Sequence, residues 1–251
     1  MADDGNEGDD EHDVAPPPPP SGGAFKAPNQ GTPKPRRRSR RFRRTLTLSQ
    51  FQELDAVLRA NGYAETIAWS ENIQPCQDAD AFALEVTYVI CNSGMAYRVA
   101  NAIYWRVVEA LKADQSATTA FGHPGKAPAI DFIWQNRAVL FAAFDVAANK
   151  LGFCATLPWI GPVTKFHLAK NLGVDVAKPD VHMERLARAE GVTVAALCVR
   201  LARESGYRVS TIDTILWRAC ADGYLNSRLY LTEGWQGSTE KLREAQKLMP
   251  P

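Results

Sequence analysis

The sequence predicts an all-α fold, and three observations carry that prediction. From Thr47 onward, apolar residues recur at the three- and four-residue spacing of a helix face. No series of alternating β-branched residues suggests a sheet. The helical patterns close at glycine or asparagine, the residues that punctuate helix ends. At 251 residues the chain is long enough to bury one substantial core or two smaller ones.

Residues 1–44 stand outside that pattern. Residues 1–13 carry seven acids and no Lys or Arg, while residues 26–44 carry two lysines, seven arginines and no acid. "PPPPPSGG" separates the two blocks, and with almost nothing apolar to offset the entropy of ordering, the arm is expected to be disordered. The arginine run suits a nucleic-acid-binding arm or a solubilising or targeting tail, and it could also pair with the acidic block. Because the overall charge is +1, the part beyond the two blocks is nearly neutral, so nonspecific attraction to polyanions should come largely from the arm.

The helical domain is expected over residues 45–251. "SQFQELDAVLRANG" offers a cap at Ser49 with Glu53 nearby, apolar Phe51, Leu54, Val57 and Leu58, and Gly62 as a stop. "DADAFALEVTYVICNSG" and "MAYRVANAIYWRVVEALKAD" read as two helices broken at Asn92–Gly94. "PAIDFIWQNRAVLFAAFDVAANKLG" reads as one long helix stopped at Gly152. "VHMERLARAE" follows Asp180, a good N-cap, and "STIDTILWRACADGY" starts near Ser210 or Thr211 and closes near Gly223. No internal repeat is visible.

Several classes are disfavoured. Cys76, Cys91, Cys154, Cys198 and Cys220 show no CxxC pair and no zinc or iron–sulfur spacing, so free core thiols are expected. No run approaches the ~18 apolar residues of a membrane span. The acidic start differs from a basic and apolar leader, so no signal peptide and an intracellular location are expected.

One stretch carries chemistry. In "ATLPWIGPVTKFHLAKNLG", Gly161 permits backbone geometry that a side chain would hinder, and Pro162 suits the first turn of the next helix. Unpaired N–H groups at that helix start would face outward at the positive end of a dipole, where a phosphate fits. The segment therefore reads as a helix-hairpin-helix gripping a DNA backbone, or as an ordinary turn between antiparallel helices.

Leu157, Pro158, Trp159, Ile160 and Gly161, then Gly173, then Asp180, Val181, His182 and Met183 resemble the helix-hairpin-helix (HhH-GPD) DNA glycosylase superfamily. Its members include endonuclease III, the adenine glycosylases and the 8-oxoguanine glycosylases. They carry an LPGVG-type hairpin, a glycine bend and a VDVHM-like aspartate segment. "YVICNSGMAYRVANAIYWRV" is similar to the family's helix, loop and helix that wedges into DNA, and "IDTILW" is similar to its late helix. The resemblance covers most of residues 47–230, with the hairpin and the Asp180 region as its specific parts.

That resemblance implies a two-lobed helical fold, double-stranded DNA as partner, a monomer, and excision of a damaged or modified base in DNA repair. Asp180 matches the catalytic carboxylate, which meets the cationic character of the sugar as the base leaves. Trp159, Gly161, Val163 and Thr164 match the backbone grip, and Asn92 and Ser93 with Gly94 match the loop that fills the gap left by an extruded base. His167 falls where relatives line the base pocket, with Trp217 on the late helix; a packed, hydrogen-bonded role for His167 is the simpler alternative. Ala155, Leu157 and Ile160 match backbone carbonyls that cradle a structural monovalent cation. No other cofactor is implied, and without a cysteine quartet there is no iron–sulfur cluster.

Three positions depart from the family. Trp159 replaces the first hairpin glycine, Val163 stands where strand-cleaving members place a nucleophilic lysine, and Lys178 and Pro179 precede Asp180. Val163 predicts a monofunctional enzyme that leaves an abasic site. Lys165, about 200° further round the helix, is the alternative nucleophile for a bifunctional glycosylase and lyase. A DNA-binding protein without catalysis, and a helical interaction domain with a basic arm, are the other readings. The excised base stays open between oxidised, deaminated, alkylated and bulky modified bases: "VICNSG" and "DVHM" point to the 8-oxoguanine branch, and the missing lysine points away from it.

Overall fold

The computed structural model describes residues 45–248; the expected disorder and the charge-based roles of residues 1–44 lie outside the described residues. Among the described residues every regular element is a helix and no strand occurs. α1 (Leu48–Leu58) starts at Thr47, whose hydroxyl accepts from the Gln50 amide while the Gln50 side chain accepts from the Thr47 amide. The expected cap at Ser49 is corrected by this box, because Thr47 with Gln50 satisfies two otherwise orphaned donors at once. Gly62, at φ 91°, turns the chain from α1 into α2 (Ala64–Asn72).

α3 (Ala79–Asn92) is capped by Asp78 and ends at the expected Asn92–Gly94 break, after which α4 (Tyr97–Lys112) begins. The single long helix expected next is three: α5 (Lys126–Gln135), α6 (Arg137–Val146) and α7 (Lys150–Cys154). Asparagines make both breaks. Asn136 turns its side chain back onto the Phe132 carbonyl, and the Asn149 side chain caps α7 by accepting from Gly152. Gly152 therefore lies inside α7 instead of ending it.

α8 (Thr164–Asn171) follows the hairpin turn and stops before Gly173. At φ 88°, with a Cβ there meeting the Gln74 carbonyl oxygen at 2.6 Å, that position requires glycine. α9 (Val181–Glu190), α10 (Val194–Ser205), α11 (Val209–Ala221), α12 (Ser227–Ser238) and α13 (Glu240–Lys247) complete the chain.

Two buried clusters organise these helices. One joins residues of α1 and α2 to residues of α9 to α13, so chain segments far apart in sequence share it. The other is built from α3 to α8 and the hairpin, with Phe82, Ile90, Ile130 and Leu168 fully buried. Truncating such a side chain to alanine costs about 2–5 kcal/mol.

The segment from Gly173 to Asp180 runs from α8 to α9 and is pinned by residues at the start of α11. Arg208 donates to the carbonyls of Ile73 and Gly173, Asp175 accepts from the Ser210 amide, and Asp213 accepts from the Lys178 amide at 3.1 Å. These bonds hold the entry to α9, and hence Asp180, against α11.

Candidate functional site

Asp180 is the N-cap of α9. Its Oδ1 accepts from the amides of His182 at 2.9 Å and Met183 at 3.0 Å, while Oδ2 accepts no hydrogen bond from a described residue. Capping fixes the carboxyl group and leaves one oxygen to act outward. It lines a cavity of about 580 Å³ whose walls come from α2, α3, α4, α8 and α11.

Each wall is a stripe at helical spacing. α3 presents Glu85, Tyr88 and Asn92; α4 presents Tyr97, Asn101, Tyr104 and Trp105, opposite its buried Ala100, Ile103 and Val107. α8 contributes His167, Lys170 and Asn171, and α11 contributes Asp213, Thr214, Trp217 and Arg218. Trp69, Tyr97 and Trp105 are each at least half exposed, so aromatic faces stand at the solvent side of the cavity.

The polar groups are strongly biased by burial. The Lys170 ammonium donates to Asp213 Oδ2 at 2.6 Å and to Thr214 Oγ1 at 3.1 Å. Burial pushes the Asp213 carboxyl up, and the Lys170 ammonium opposes that shift. Burial likewise raises Glu85, opposed by the Asn171 side chain, whose amide donates to it at 2.9 Å. His167 is pushed down to about 4 by burial and then by Lys178 and Lys170, which keeps its ring neutral near pH 7. That ring stands edge-on to Tyr88.

Of the residues named from sequence, Asp180, Asn92, His167 and Trp217 meet at this cavity. Lys165 does not line it; its ammonium lies over the Phe166 ring at 5.4 Å from the centroid. Ser93 does not line it either: its hydroxyl donates to the Ile90 carbonyl, and its own carbonyl accepts from Lys126. Sequence reasoning missed Glu85, Lys170, Asn171 and Asp213. Lys170 was within reach, because it lies seven residues after Val163 and therefore on the same face two turns on. The Lys170–Asp213 pairing had no local signal, since 43 residues separate the partners.

The hairpin turn differs from its expected geometry. Trp159, at φ 62°, takes up the left-handed backbone conformation, while a Cβ added to Gly161 would meet nothing closer than Thr164 Oγ1 at 3.7 Å. The glycine-like requirement therefore sits at position 159 and not at Gly161. Pro162 also lies two residues before α8 instead of in its first turn. The Gly161 amide donates to Thr164 Oγ1 at 2.7 Å, and among the described residues the amides of Val163 and Thr164 have no acceptor. Val163 is 40% exposed, so this pair of donors lies next to solvent.

Among the described residues the carbonyls of Ala155 and Ile160 accept no hydrogen bond, and that of Leu157 accepts from the Ile160 amide at 3.2 Å. Neutral backbone carbonyl oxygens can replace part of the hydration shell of a monovalent cation. Among the described residues no group of three or more His, Cys, Asp or Glu could hold a metal, and all five cysteines are free.

A second cleft of about 330 Å³ adjoins α9 at its start and is lined by Val181, His182, Arg185, Asn226 and Arg228 among others. His182 Nδ1 is 3.0 Å from Ser227 Oγ, and neither Arg185 nor Arg228 forms an ion pair with a described residue. Among the described residues no helix is long and apolar enough to cross a membrane. No protein-family model, no curated protein and no solved structure matches the chain.

Proposed function

We propose that the chain is a monofunctional DNA N-glycosylase, a hydrolase that extrudes a damaged or modified base from duplex DNA and cuts its N-glycosidic bond. The observation that carries this reading is Asp180, held by two amides through one oxygen at the wall of an aromatic cavity, with its other oxygen unengaged. Two buried helical clusters, with the cavity drawing its walls from helices of both, support the two-lobed architecture of the glycosylase superfamily.

The chemistry follows from the geometry. Extruding a base costs a few kcal/mol, and aromatic faces recover part of that by stacking on it. As the base leaves, the sugar gains positive charge, and a fixed carboxylate needs no reorganisation to stabilise it. Asp180 Oδ2 is the oxygen for that role, and it can take a proton from the attacking water. The amides of Val163 and Thr164 would receive a backbone phosphate, and Arg185 and Arg228 offer further cationic contacts. The carbonyls of Ala155, Leu157 and Ile160 would hold a monovalent cation, which would brace the turn electrostatically.

A lyase step has little support. Val163 carries no amine, Lys165 lies off the cavity, and the Lys170 amine is engaged by Asp213 and Thr214. The reading places the protein on duplex DNA as a monomer, in base excision.

A panel of duplexes carrying oxidised, deaminated, alkylated and bulky modified bases tests it. Wild type should give strand breaks at one class only after alkali, and Asp180→Asn should bind that duplex and give none. Equal behaviour of both proteins across the panel would favour a DNA-binding protein without catalysis.

A further inference from the structure

Two local features near the hairpin oppose stability. Trp159 sits at φ 62°, a conformation that costs a side-chain-bearing residue roughly 1–2 kcal/mol. Lys126, only 5% exposed, buries an ammonium that has no carboxylate partner among the described residues. Among the described residues its acceptor is the Ser93 carbonyl at 2.5 Å, at the end of α3, where the helix dipole offers partial compensation.

The same few residues join these features. The Trp159 indole packs edge-on against His123, with centroids 5.2 Å apart, and covers Gly125 so closely that a Cβ there would collide with the ring. His123 Nδ1 accepts from the amides of Gly125 and Lys126, both at 3.2 Å, so the imidazole ties Trp159 to the start of α5. Lys126 then reaches across to the Ser93 carbonyl. Beyond Ser93 the chain is loosely held: Gly94 is at φ 69° with nothing within 4 Å of an added Cβ, and the Met95 amide reaches the Asn92 carbonyl at 3.4 Å.

We propose that Trp159, His123 and Lys126 form a brace that sets the position of the Asn92–Met95 loop from the hairpin. Trp159 and Lys126 are positioning residues. The hairpin takes the phosphate, Asn92 and Met95 reach the cavity, and the brace makes the grip on the backbone and the presentation of the loop one event. The inference rests on the base-extruding reading for its consequence, though not for the existence of the brace. It also accounts for a tryptophan where a glycine would be unstrained: the indole supplies the contact that glycine cannot.

The test uses Trp159→Gly, Lys126→Met and their double variant, with melting curves confirming that each folds. In free protein, hydrogen exchange at the amides of Ser93 and Met95 should quicken in both single variants and no further in the double variant. Unchanged exchange at those amides in either single variant would overturn the brace. The second arm measures base extrusion as the emission of 2-aminopurine in a duplex. Lys126→Met should reduce the extruded fraction about 2- to 30-fold while duplex affinity and its salt dependence stay at the wild-type value. The double variant should lose no more than the worse single variant. Additive losses, or full emission from Lys126→Met, would overturn the coupling. Absence of emission with wild type would count against base extrusion itself, and the exchange arm would still decide the brace.

Discussion

Asp180 and Asp213 line the same cavity with the same functional group in opposite situations. Asp180 is half-buried, spends one oxygen on the two amides of its own helix start, and keeps the other unengaged. Asp213 is 3% exposed at its side chain and spends one oxygen on Lys170 and the other on the Lys178 amide. In the proposed reaction the first would meet the charge that develops as the base leaves; the second already has its counter-charge and holds the segment that presents the first. Occupancy of the oxygens, more than neighbourhood, distinguishes the two acids.

The largest expected effect comes from removing the unengaged oxygen. Asp180→Asn keeps an oxygen for the cap, so the fold and duplex affinity should persist while single-turnover excision falls about 10²- to 10⁴-fold. An equal fall for Asp213→Asn, at unchanged stability, would erase the distinction between the two acids.

Asp213 should instead register in stability. Asp213→Ala leaves the buried Lys170 ammonium without its counter-charge, and breaking such a pair costs about 3–5 kcal/mol, read from urea denaturation. Combining it with Lys170→Met should recover much of that loss, because the orphaned charge goes with its partner. Simple addition of the two losses would mean that Asp213 acts alone.

A smaller effect should appear with pH. His167 titrates at about 4 when folded, against 6.5 for an unburied histidine, so between those values the unfolded chain binds the extra proton. Stability is unaffected by His167 above about pH 6.5 and should fall as pH drops towards 4, by about 3 kcal/mol at most. His167→Phe should flatten that part of the stability profile. Because the lysines beside His167 help to keep it neutral, Lys170→Met should shift the midpoint upward, which links the histidine to the same ion pair.

The contrast between the two acids also separates what the sequence could reveal from what it could not. The capping role of Asp180 was legible because its determinants are local: a proline before it, an amphipathic helix after it, and a cap that needs only the next three residues. The helix character of the chain was legible for the same reason. Asp213 was not, since its partners, Lys178 in the segment before α9 and Lys170 on α8, lie 35 and 43 residues away and meet it only in the folded chain. The breaks at Asn136 and Ala147–Asn149 were missed because apolar spacing continues through them, and the asparagine caps weigh less in the pattern than a glycine or proline would. At the hairpin the motif's position was legible and its geometry was not: a tryptophan in the left-handed region follows no propensity and makes sense only beside Gly125 and His123.

The smallest expected effect concerns Lys165, and it sharpens the comparison by asking whether any lysine shares the work of Asp180. Lys165 is off the cavity, so Lys165→Ala should leave excision within about 2-fold, the range of a surface substitution. Borohydride should trap no covalent complex with wild type, since the Lys170 ammonium, which reaches the cavity, is held by Asp213 and Thr214. A trapped complex lost in Lys170→Met would show that Lys170 gives up a proton during turnover, with Asp213 the neighbouring carboxylate to accept it. Asp213 would then belong with Asp180 among the proposed reacting groups, and its bonds to Lys170 and to the Lys178 amide would hold only in the resting protein.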